Sequence, residues 1–288
     1  MLVPLHHMIY EDIVRRALLE DIGRGGDLTT DAIVSEHDTV AACIVARKSG
    51  RVAGLEVART AFHLLDPEVK FEILLADGLD AEAGDELALI KGRARPILTG
   101  ERTALNFLGR LSGIATVTRD VVALVSHVAP HGTRVVCTRK TTPGLRLLEK
   151  YAVRAGGGSN HRFGLDDAVL IKDNHIAAVG GDLSEAIRRA RRHVGHMVKV
   201  EAEVDTLEQL KIALNEDIDA VLLDNMDITT LREAVRMVNG RVLTEASGGI
   251  TPETAGAIAS TGVDLMSIGW LTHSAPALDV SLDFSFKL

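Results

Sequence analysis

The chain has 288 residues, of which 46% are apolar and 25% charged, and its formal net charge at pH 7 is −8. This composition is that of a globular protein with enough apolar residues for a core, and it excludes a fibre or a disordered tail. The negative charge argues against nucleic acid or an anionic membrane surface as a partner, because both require a basic face.

The start of the chain and its two cysteines predict a location. Residues 1–7 lack the basic and then apolar order of a signal peptide. No stretch approaches the roughly 18 apolar residues that a membrane helix needs. Cys43 and Cys137 lie far apart without metal-ligand spacing, which fits two small core residues in a reducing compartment. We therefore expect a cytoplasmic protein with no membrane span.

The first 115 residues predict a domain that mixes helices and strands. The apolar pattern indicates, in chain order, a helix over 9–20, a strand over 39–47, a helix over 55–65, a strand over 70–75 and a helix over 101–113. Gly23 follows the first helix and Thr99 is a candidate cap for the last one. We predict an α+β domain of sandwich-like form over residues 1–115.

From about residue 130 short β-branched runs alternate with helical stretches. The runs predict strands over 134–137, 168–171, 198–204, 220–223, 241–244 and 264–268, with helices over 182–193, 206–216, 228–238 and 252–261. Such alternation implies right-handed crossovers and a parallel sheet. We predict a TIM-like parallel α/β barrel over 116–274, either closed or incomplete, and expect the tail 275–288 to pack with the first domain.

The charge is unevenly distributed along the chain. Between Arg134 and His175 there are eight basic and four acidic residues, so this segment carries +4 and the remainder −12. A small anionic ligand explains such a local excess better than a polymer does.

Reactive groups in an α/β barrel lie at the carboxyl ends of the strands, so residues in or just after each run are the candidates for a site. Cations and imidazoles accompany the first two runs, carboxylates the middle two and glycines the last two. They are Thr138, Arg139 and Lys140; His161, Arg162, Lys172 and His175; Glu201, Glu203 and Asp224; Ser247, Gly248 and Gly249; and Ile268, Gly269 and Trp270.

Each group also has a purely structural interpretation. Arginines and lysines are usually solvated, but four of them at strand ends beside two histidines favour an anion site. Glu203 and Asp224 fit structural ion pairs, yet a magnesium-chelated diphosphate or a cationic transition state explains them as well, and we favour that. Gly248 and Gly249 precede a helix N-terminus and predict a phosphate-binding turn.

Two other kinds of site are excluded by spacing. No cluster of cysteines and histidines has zinc-ligand spacing, and His193 and His196 are expected to be solvated. Three glycines at 156–158 precede a strand, whereas a dinucleotide fingerprint or a P-loop lies between a strand and a helix.

Several motifs spread over nearly the whole chain share one family likeness. They are EDIG at 20–23 with GDLTT at 26–30, ERTALNFL at 101–108, LSGIAT at 111–116, TRKTTPGLR at 138–146, GGGSNHR at 156–162 and LIKDNH at 170–175. The last three are the most specific. With them the chain resembles the quinolinate phosphoribosyltransferases, the carboxylating nicotinate-nucleotide pyrophosphorylases.

The resemblance implies a reaction in NAD biosynthesis: quinolinate and phosphoribosyl pyrophosphate (PRPP) give nicotinate mononucleotide, pyrophosphate and carbon dioxide, with magnesium. It also implies roles. Arg139, His161, Arg162 and Lys172 would hold the two carboxylates of quinolinate, since bidentate arginine pairing suits planar carboxylates. Lys140, Glu203 and Asp224, the expected catalytic residues, would surround the ribose and the magnesium diphosphate, with Glu201 as a neighbour and Thr138 as a further substrate contact.

The remaining implied roles concern the phosphate and a second subunit. Ser247, Gly248 and Gly249 with the turn 268–270 would hold the ribose 5-phosphate. Arg102 would reach the quinolinate site of a second subunit, so the active site would be shared in a homodimer. Whether dimers assemble into hexamers stays open. Because magnesium is often bound mainly through the diphosphate and water, no protein metal site is predicted.

The sequence departs from the family pattern at two positions. Gly109 stands where the family often has glutamine, and a glycine inside a helix costs about 1 kcal/mol relative to alanine. Trp270, the single tryptophan, stands where a small residue usually follows the glycine of the phosphate turn. These departures concern the rigidity of the Arg102 helix and the shape of the phosphate pocket.

Three alternatives remain at this stage. A nicotinate phosphoribosyltransferase and the molybdenum-associated homologue share the fold, but Arg139, Arg162 and Lys172 together favour a dicarboxylate. A catalytically silent binding protein would be expected to lack Glu203, Asp224 or the two-glycine turn, and all of these are present.

Overall fold

The computed structural model describes residues 2–129 and 132–285. A 3-10 turn at His7–Ile9 precedes the first helix. The α-helices are α1 (Glu11–Ile22), α2 (Leu28–Ile33), α3 (Leu55–Leu65), α4 (Ala94–Val128), α5 (Arg146–Ala155), α6 (Asp173–Ala178), α7 (Leu183–His193), α8 (Leu207–Ala213), α9 (Ile228–Val238), α10 (Pro252–Ala259) and α11 (Trp270–His273).

The strands form two larger sheets and one short pair. They are β1 (Thr39–Ala46), β2 (Gly50–Arg51), β3 (Lys70–Ile73), β4 (Asp80–Ala81), β5 (Glu86–Arg93), β6 (Arg134–Cys137), β7 (Ser159–Asn160), β8 (Val169–Ile171), β9 (Val200–Val204), β10 (Ala220–Asp224), β11 (Leu243–Ser247), β12 (Leu265–Ser267) and β13 (Val280–Ser285). Strands β2 and β4 form the short antiparallel pair.

The chain divides into two compact units. Of the described residues, the first contains 2–119, 141–157 and 271–285, and the second contains 120–129, 132–140 and 158–270. The expected boundary at residues 115 and 116 falls within α4, which continues as one helix through that point and passes from the first unit to the second. Predicted at 101–113, this helix extends further at both ends and continues through Gly109 and Gly113; Pro96 lies in its first turn, where proline is tolerated.

The first unit is built on an antiparallel sheet with the strand order β13-β1-β5-β3. Strand β1 pairs with β5 and β13, so a strand from the end of the chain lies in the sheet of the N-terminal residues. Helix α3 buries Val57, Ala61 and Phe62, and α4 buries Leu108 and Leu111. The tail was expected to pack here, and β13 does so; residues 286–288 lie outside the described part of the chain.

Close approach of the C-terminal segment explains why α4 contains glycines. The backbone N–H of Leu278 donates to the carbonyl of Gly109 at 2.9 Å, and a Cβ on Gly109 would lie 2.9 Å from the Leu278 carbonyl. At Gly113 a Cβ would lie 2.0 Å from the carbonyl oxygen of Pro276. Gly109 therefore costs helix propensity but admits the neighbouring backbone.

The second unit contains seven parallel strands in the order β7-β6-β12-β11-β10-β9-β8. Buried β-branched and aliphatic residues such as Val136, Val200 and Val221 explain why these short segments form strands. Strands β7 and β8 are the edges, and no hydrogen-bonded pair joins them within residues 132–285. The predicted TIM-like α/β barrel is therefore an incomplete one, with the strand order that sequential βα units give.

Capping residues determine where the helices of this unit begin. Asp182, Thr206 and Asp227 each accept a hydrogen bond from a backbone N–H in the first turn of α7, α8 and α9. Pro252 occupies the first position of α10, as the sequence predicts. Because the seven strands are parallel, their carboxyl ends all lie on one rim of the sheet.

Helix α4 is long and apolar enough to meet a length-and-composition test for a membrane span. The expectation that no segment would do so is therefore not met by this helix. Its apolar side chains, among them Ala104, Leu108 and Ile114, are buried in the protein's own core. We accordingly interpret α4 as a core helix.

Candidate active site

A cavity of about 560 Å³ opens at the carboxyl ends of the parallel strands of the second unit. Every strand of the sheet reaches its wall directly or through the residues that follow. The lining residues are Thr138, Arg139, Lys140, His161, Arg162, Leu170, Lys172, Glu203, Leu222, Asp224, Asn225, Glu245, Ser247, Gly248, Gly249 and Ser267. A concave site of this size at strand ends is where α/β sheets bind ligands.

The wall formed after β6, β7 and β8 is cationic. Arg162, whose Nη1 donates to the carbonyl of Ala168 at 3.1 Å, is half-buried. Burial and the positive charge of Arg139 lower the pKa of Arg162. Two guanidinium groups held this close repel each other unless an anion joins them. The structure therefore brings these predicted cations together on one wall of the cavity.

Opposite charges meet where β8 and β9 end. The ammonium of Lys172 contacts Glu203 Oε2, and the Glu203 side chain is only 12% exposed. Both residues line the cavity, so Lys172 presents its charge to the cavity from a position fixed by Glu203. The two glutamates of β9 have different positions. Glu203 lines the cavity, whereas Glu201 lies against His161.

A buried cluster lies below the cationic wall. His161 Nε2 is 2.9 Å from Glu201 Oε2 and 3.6 Å from Glu245 Oε2. Both oxygens of Glu245 and Oε1 of Glu201 are buried without a hydrogen-bond partner among the described residues. Burial, and then the negative charge of Glu201, raise the pKa of Glu245 to about 7. At neutral pH the Glu245 carboxyl therefore keeps its proton far more often than an exposed glutamate does.

This cluster has the composition of a metal site, because its three candidate ligand atoms lie within 4.8 Å of one another. The hydrogen-bond pattern opposes that use. The backbone N–H of Arg162 donates to Nδ1 of His161 at 2.8 Å, so the ring proton lies on Nε2, the atom that faces the carboxylates. A metal ligand would need Nε2 free and Nδ1 protonated. His161, Glu201 and Glu245 thus form a hydrogen-bonded group that fits a proton better than a metal ion.

The glycine turn after β11 forms the opposite wall. Gly248 and Gly249 have φ of 95° and 57°, which side chains rarely adopt. A Cβ on Gly248 would lie 2.1 Å from Oδ1 of Asn225. Backbone groups of such a turn ahead of the α10 N-terminus suit a phosphate.

Trp270 supports this turn from the neighbouring strand. Its indole N–H donates to the carbonyl of Ile250 at 2.8 Å, just after Gly249. The backbone N–H of Ile268 donates to the carbonyl of Val136 at 2.9 Å, so the sheet already uses it. In this unit the turn 268–270 braces the two-glycine turn, and the cavity wall itself includes Gly248 and Gly249.

Most predicted site residues meet at this cavity, and a few lie elsewhere. Eleven of the lining residues were predicted from the sequence; Glu201 lies beneath the wall, and Ile268, Gly269 and Trp270 lie behind the turn. His175 lies in the first turn of α6, where its Nδ1 accepts a hydrogen bond from the backbone N–H of Lys172. Arg102 is exposed on α4 in the first unit.

Five lining residues were not among the predicted site residues, although three of them stand at or near strand ends: they are Leu170, Leu222, Asn225, Glu245 and Ser267. Glu245 could have been found, because it precedes Ser247 by two and therefore shares its side of the strand. Asn225 follows Asp224 directly and has a positive φ of 52°, which asparagine tolerates better than most residues.

Two family models match the chain. Residues 27–112 match the quinolinate phosphoribosyl transferase N-terminal domain, and residues 114–283 match the C-terminal domain of the same family.

Curated relatives agree over the full length. A Bacillus subtilis protein named probable nicotinate-nucleotide pyrophosphorylase, carboxylating, is 45% identical over 283 residues, which are 98% of this chain and 96% of that protein. The nicotinate-nucleotide pyrophosphorylase, carboxylating, of Mycobacterium leprae is 44% identical over 94% of this chain and 96% of its own.

Solved structures show the same similarity in three dimensions. The crystal structure of NadC from Streptococcus pyogenes is 40% identical with a TM-score of 0.93, covering 98% of this chain and 99% of that chain. The nicotinate-nucleotide pyrophosphorylase from Francisella tularensis is 38% identical with a TM-score of 0.91 over 99% of both chains. With family models matched on both sides of residue 113 and relatives of this identity, the chain belongs to the quinolinate phosphoribosyltransferase family.

Proposed function

We propose that the cavity transfers the phosphoribosyl group of PRPP to quinolinate and that the product loses carbon dioxide to give nicotinate mononucleotide. The observation that carries this proposal is the pair of neighbouring guanidiniums, Arg139 and Arg162, on a wall that also presents Lys172. Three cations on one wall suit a ligand with two carboxylates. The glycine turn on the opposite wall suits the phosphate of the other substrate.

Quinolinate would lie against the cationic wall. Arg139 and Arg162 suit bidentate pairing with a planar carboxylate, and Lys172 supplies a point charge for the second one. His161 keeps its Nε2–H directed at Glu201, so its contribution to quinolinate would come through the position of the ring and of Arg162. This arrangement would hold the ring nitrogen toward the ribose.

PRPP would lie between the glycine turn and the carboxylates. Ser247, Gly248 and Gly249 would hold the 5-phosphate. Thr138 and Lys140 also line the cavity and would lie beside the diphosphate. As pyrophosphate leaves, positive charge develops on the ribose ring, and Glu203 and Asp224 are the carboxylates on the wall that would stabilise it. Lys140 would offset the charge of the leaving diphosphate.

Decarboxylation follows from the bond just formed. Once the ring nitrogen is quaternary, the bond from the ring to the adjacent carboxylate breaks, carbon dioxide leaves and the electron pair stays on the ring carbon, which then takes up a proton. The positive ring stabilises that electron pair. The residues on this wall contribute by fixing the substrate in line.

Magnesium would be bound with the diphosphate. Glu203 and Asp224 offer carboxylate oxygens to the cavity, and magnesium prefers oxygen ligands while keeping several waters and substrate phosphates. These residues fit the ion, which would neutralise charge on the leaving diphosphate. The buried cluster of His161, Glu201 and Glu245 does not fit the ion, because the Nε2 atom of His161 that faces the two carboxylates carries a proton.

A homodimer with a shared site is part of the proposal. Arg102 is exposed on α4 and would supply a further cation to the quinolinate site of a second subunit.

Relatives from Nicotiana tabacum and Arabidopsis thaliana are named mitochondrial and chloroplastic, respectively. For this chain a cytoplasmic location remains the prediction.

A turnover assay with two substrates tests the proposal. Purified protein with PRPP and magnesium should form nicotinate mononucleotide from quinolinate and not from nicotinate. Nicotinate is the comparison substrate because the human nicotinic acid phosphoribosyltransferase has a similar fold. At 13% identity and a TM-score of 0.61, that similarity concerns the fold alone. Turnover of nicotinate only would keep the phosphate site but remove the dicarboxylate assignment.

A further inference from the structure

Asn225 occupies an unusual backbone position on the cavity wall. It follows the last residue of β10 and has a φ of 52°, and one other non-glycine residue in the described part of the chain, Asn239, has a positive φ. Left-handed residues other than glycine are strained and tend to occur where the surrounding structure holds them for a purpose.

The side chain of Asn225 forms a hydrogen bond with the carboxylate of the preceding residue, Asp224. Its Nδ2 donates to Oδ2 of Asp224 at 2.6 Å. A hydrogen bond to an ionised acceptor is stronger than one between neutral groups, and it restricts the rotamers of that carboxylate. The amide therefore selects one orientation for the Asp224 carboxylate in the cavity.

The same residue also contacts the glycine turn. Its backbone N–H donates to the carbonyl of Ser247 at 2.9 Å. Its Oδ1 packs where a side chain at Gly248 would begin, 2.1 Å from the Cβ position. One residue thus touches the carboxylate on β10 and the turn after β11.

We propose that Asn225 is a positioning residue that holds the Asp224 carboxylate and the Ser247–Gly248 turn in a single arrangement ready for the phosphoribosyl donor. This inference rests on the proposed function, because it assigns PRPP to these two features. With both fixed before binding, less ordering is needed when PRPP enters. The cationic wall has no part in this contact, so the effect is specific to PRPP.

Replacing the side chain with hydrogen separates the amide from the backbone conformation. Glycine adopts a positive φ without strain, which offsets part of the lost side-chain contact, so Asn225→Gly should stay folded with a thermal midpoint near that of the wild type. The KM for PRPP should rise about tenfold or more, because a charge-assisted hydrogen bond is lost, while the KM for quinolinate stays within about twofold. The dissociation constant of PRPP, followed by Trp270 fluorescence, should rise in parallel.

Asn239 provides a matched control. It has nearly the same backbone conformation, with φ 47°, but caps the end of α9 and is exposed outside the cavity. Asn239→Gly should therefore leave both KM values unchanged. Asn225→Asp keeps the shape but places a second carboxylate against Asp224, and its loss of PRPP affinity should exceed that of Asn225→Gly.

A double-mutant cycle tests the contact with the turn. Gly248→Ala alone should weaken PRPP binding strongly, because its Cβ meets Asn225 Oδ1. In the Asn225→Gly background the same substitution should cost less, and the difference measures the coupling.

Several results would overturn the inference. A folded Asn225→Gly variant with wild-type affinity for PRPP, an equal loss in Asn239→Gly, or the same effect of Gly248→Ala in both backgrounds would each do so. Because the fluorescence titration measures PRPP binding alone, it tests Asn225 even if quinolinate is not turned over. A wild-type chain that binds no PRPP would overturn this inference and the proposed function together.

Discussion

At the level of single residues, the site depends on charges that are held in place by their neighbours. Lys172 is fixed by Glu203, Asp224 by Asn225 and His161 by the backbone of Arg162. Residue type and spacing predict the reactive groups, because charges at strand ends are visible in the sequence. The groups that fix them are harder to predict, since an asparagine after a strand carries no charge and follows no distinctive spacing.

The cationic wall gives the first prediction. Arg139→Ala or Lys172→Ala should raise the KM for quinolinate about 10- to 100-fold, as expected for a lost charge-assisted contact, and leave PRPP affinity nearly unchanged. Steady-state kinetics with Trp270 fluorescence as the PRPP readout measure both. Lys199→Ala removes a cation that pairs with Asp219 outside the cavity and serves as the control. Wild-type turnover in either cavity variant would remove these residues from the site.

Glu245 gives a prediction about stability. Its pKa of about 7 in the folded protein lies above the ordinary value of 4.5. The folded state therefore binds this proton more tightly than the unfolded state, and stability is lost as pH rises from about 4.5 through about 7. Glutamine does not titrate, so Glu245→Gln should not lose this stability. The free energy of unfolding of the variant minus that of the wild type should therefore rise by about 2–3 kcal/mol from pH 5 to pH 8.

Urea denaturation at the two pH values measures this difference. Glu253 is an exposed glutamate in the first turn of α10, and a hydrogen bond from Thr251 lowers its pKa. It is ionised in both folded and unfolded chains at pH 5 and above, so Glu253→Gln should show no such pH-dependent shift. Parallel pH curves for Glu245→Gln and wild type would contradict the assigned cause.

At the level of elements, periodicity and capping predict the alternating strands and helices of the second unit closely. The observed α9 has the predicted limits, and β6 does as well. Helix α4 is longer than predicted, and the edge strand β7 was not predicted at all. Two-residue strands carry no periodic signal, and the extent of α4 depends on packing along its whole length rather than on local propensity.

The glycines of α4 give a prediction at this level. Gly113→Ala should lower the free energy of unfolding by about 1–3 kcal/mol, because its Cβ would lie 2.0 Å from the carbonyl of Pro276. Gly256, inside α10, is the matched control: its Cβ would meet Val128 at an ordinary 3.7 Å. Gly256→Ala should therefore raise the stability by about 0.5–1 kcal/mol through helix propensity. Equal effects in chemical denaturation would contradict the role assigned to the C-terminal segment.

At the level of the whole molecule, the sequence predicts two structural regions and the family, but not the division of the chain between them. Residues 141–157 belong to the first compact unit although barrel-type residues flank them on both sides. The chain therefore returns to the first unit over these residues. They are held there by long-range contacts, among them the hydrogen bond from Tyr151 to Asp77 at 2.7 Å. Local patterns contain no record of contacts over that sequence distance.

The proposed shared site gives a prediction at this level. At quinolinate concentrations far below the raised KM, Arg102→Ala and Arg139→Ala proteins should each be nearly inactive alone. When they are unfolded and refolded together in equal amounts, about a quarter of wild-type activity should return, because half of the dimers are mixed and each mixed dimer has one intact site. A mixture of Arg139→Ala and Lys172→Ala, which damages the same wall twice, should recover nothing. No recovery in the first mixture would exclude a shared site.

The central claim is that one cavity joins quinolinate to the phosphoribosyl group and releases its carboxylate. The most direct measurement follows quinolinate labelled at the carboxylate next to the ring nitrogen, with PRPP and magnesium, and quantifies labelled carbon dioxide, pyrophosphate and nicotinate mononucleotide together. We predict equal molar amounts of all three from the start of the reaction. Pyrophosphate and nucleotide without labelled carbon dioxide, or no product from quinolinate at all, would contradict the account.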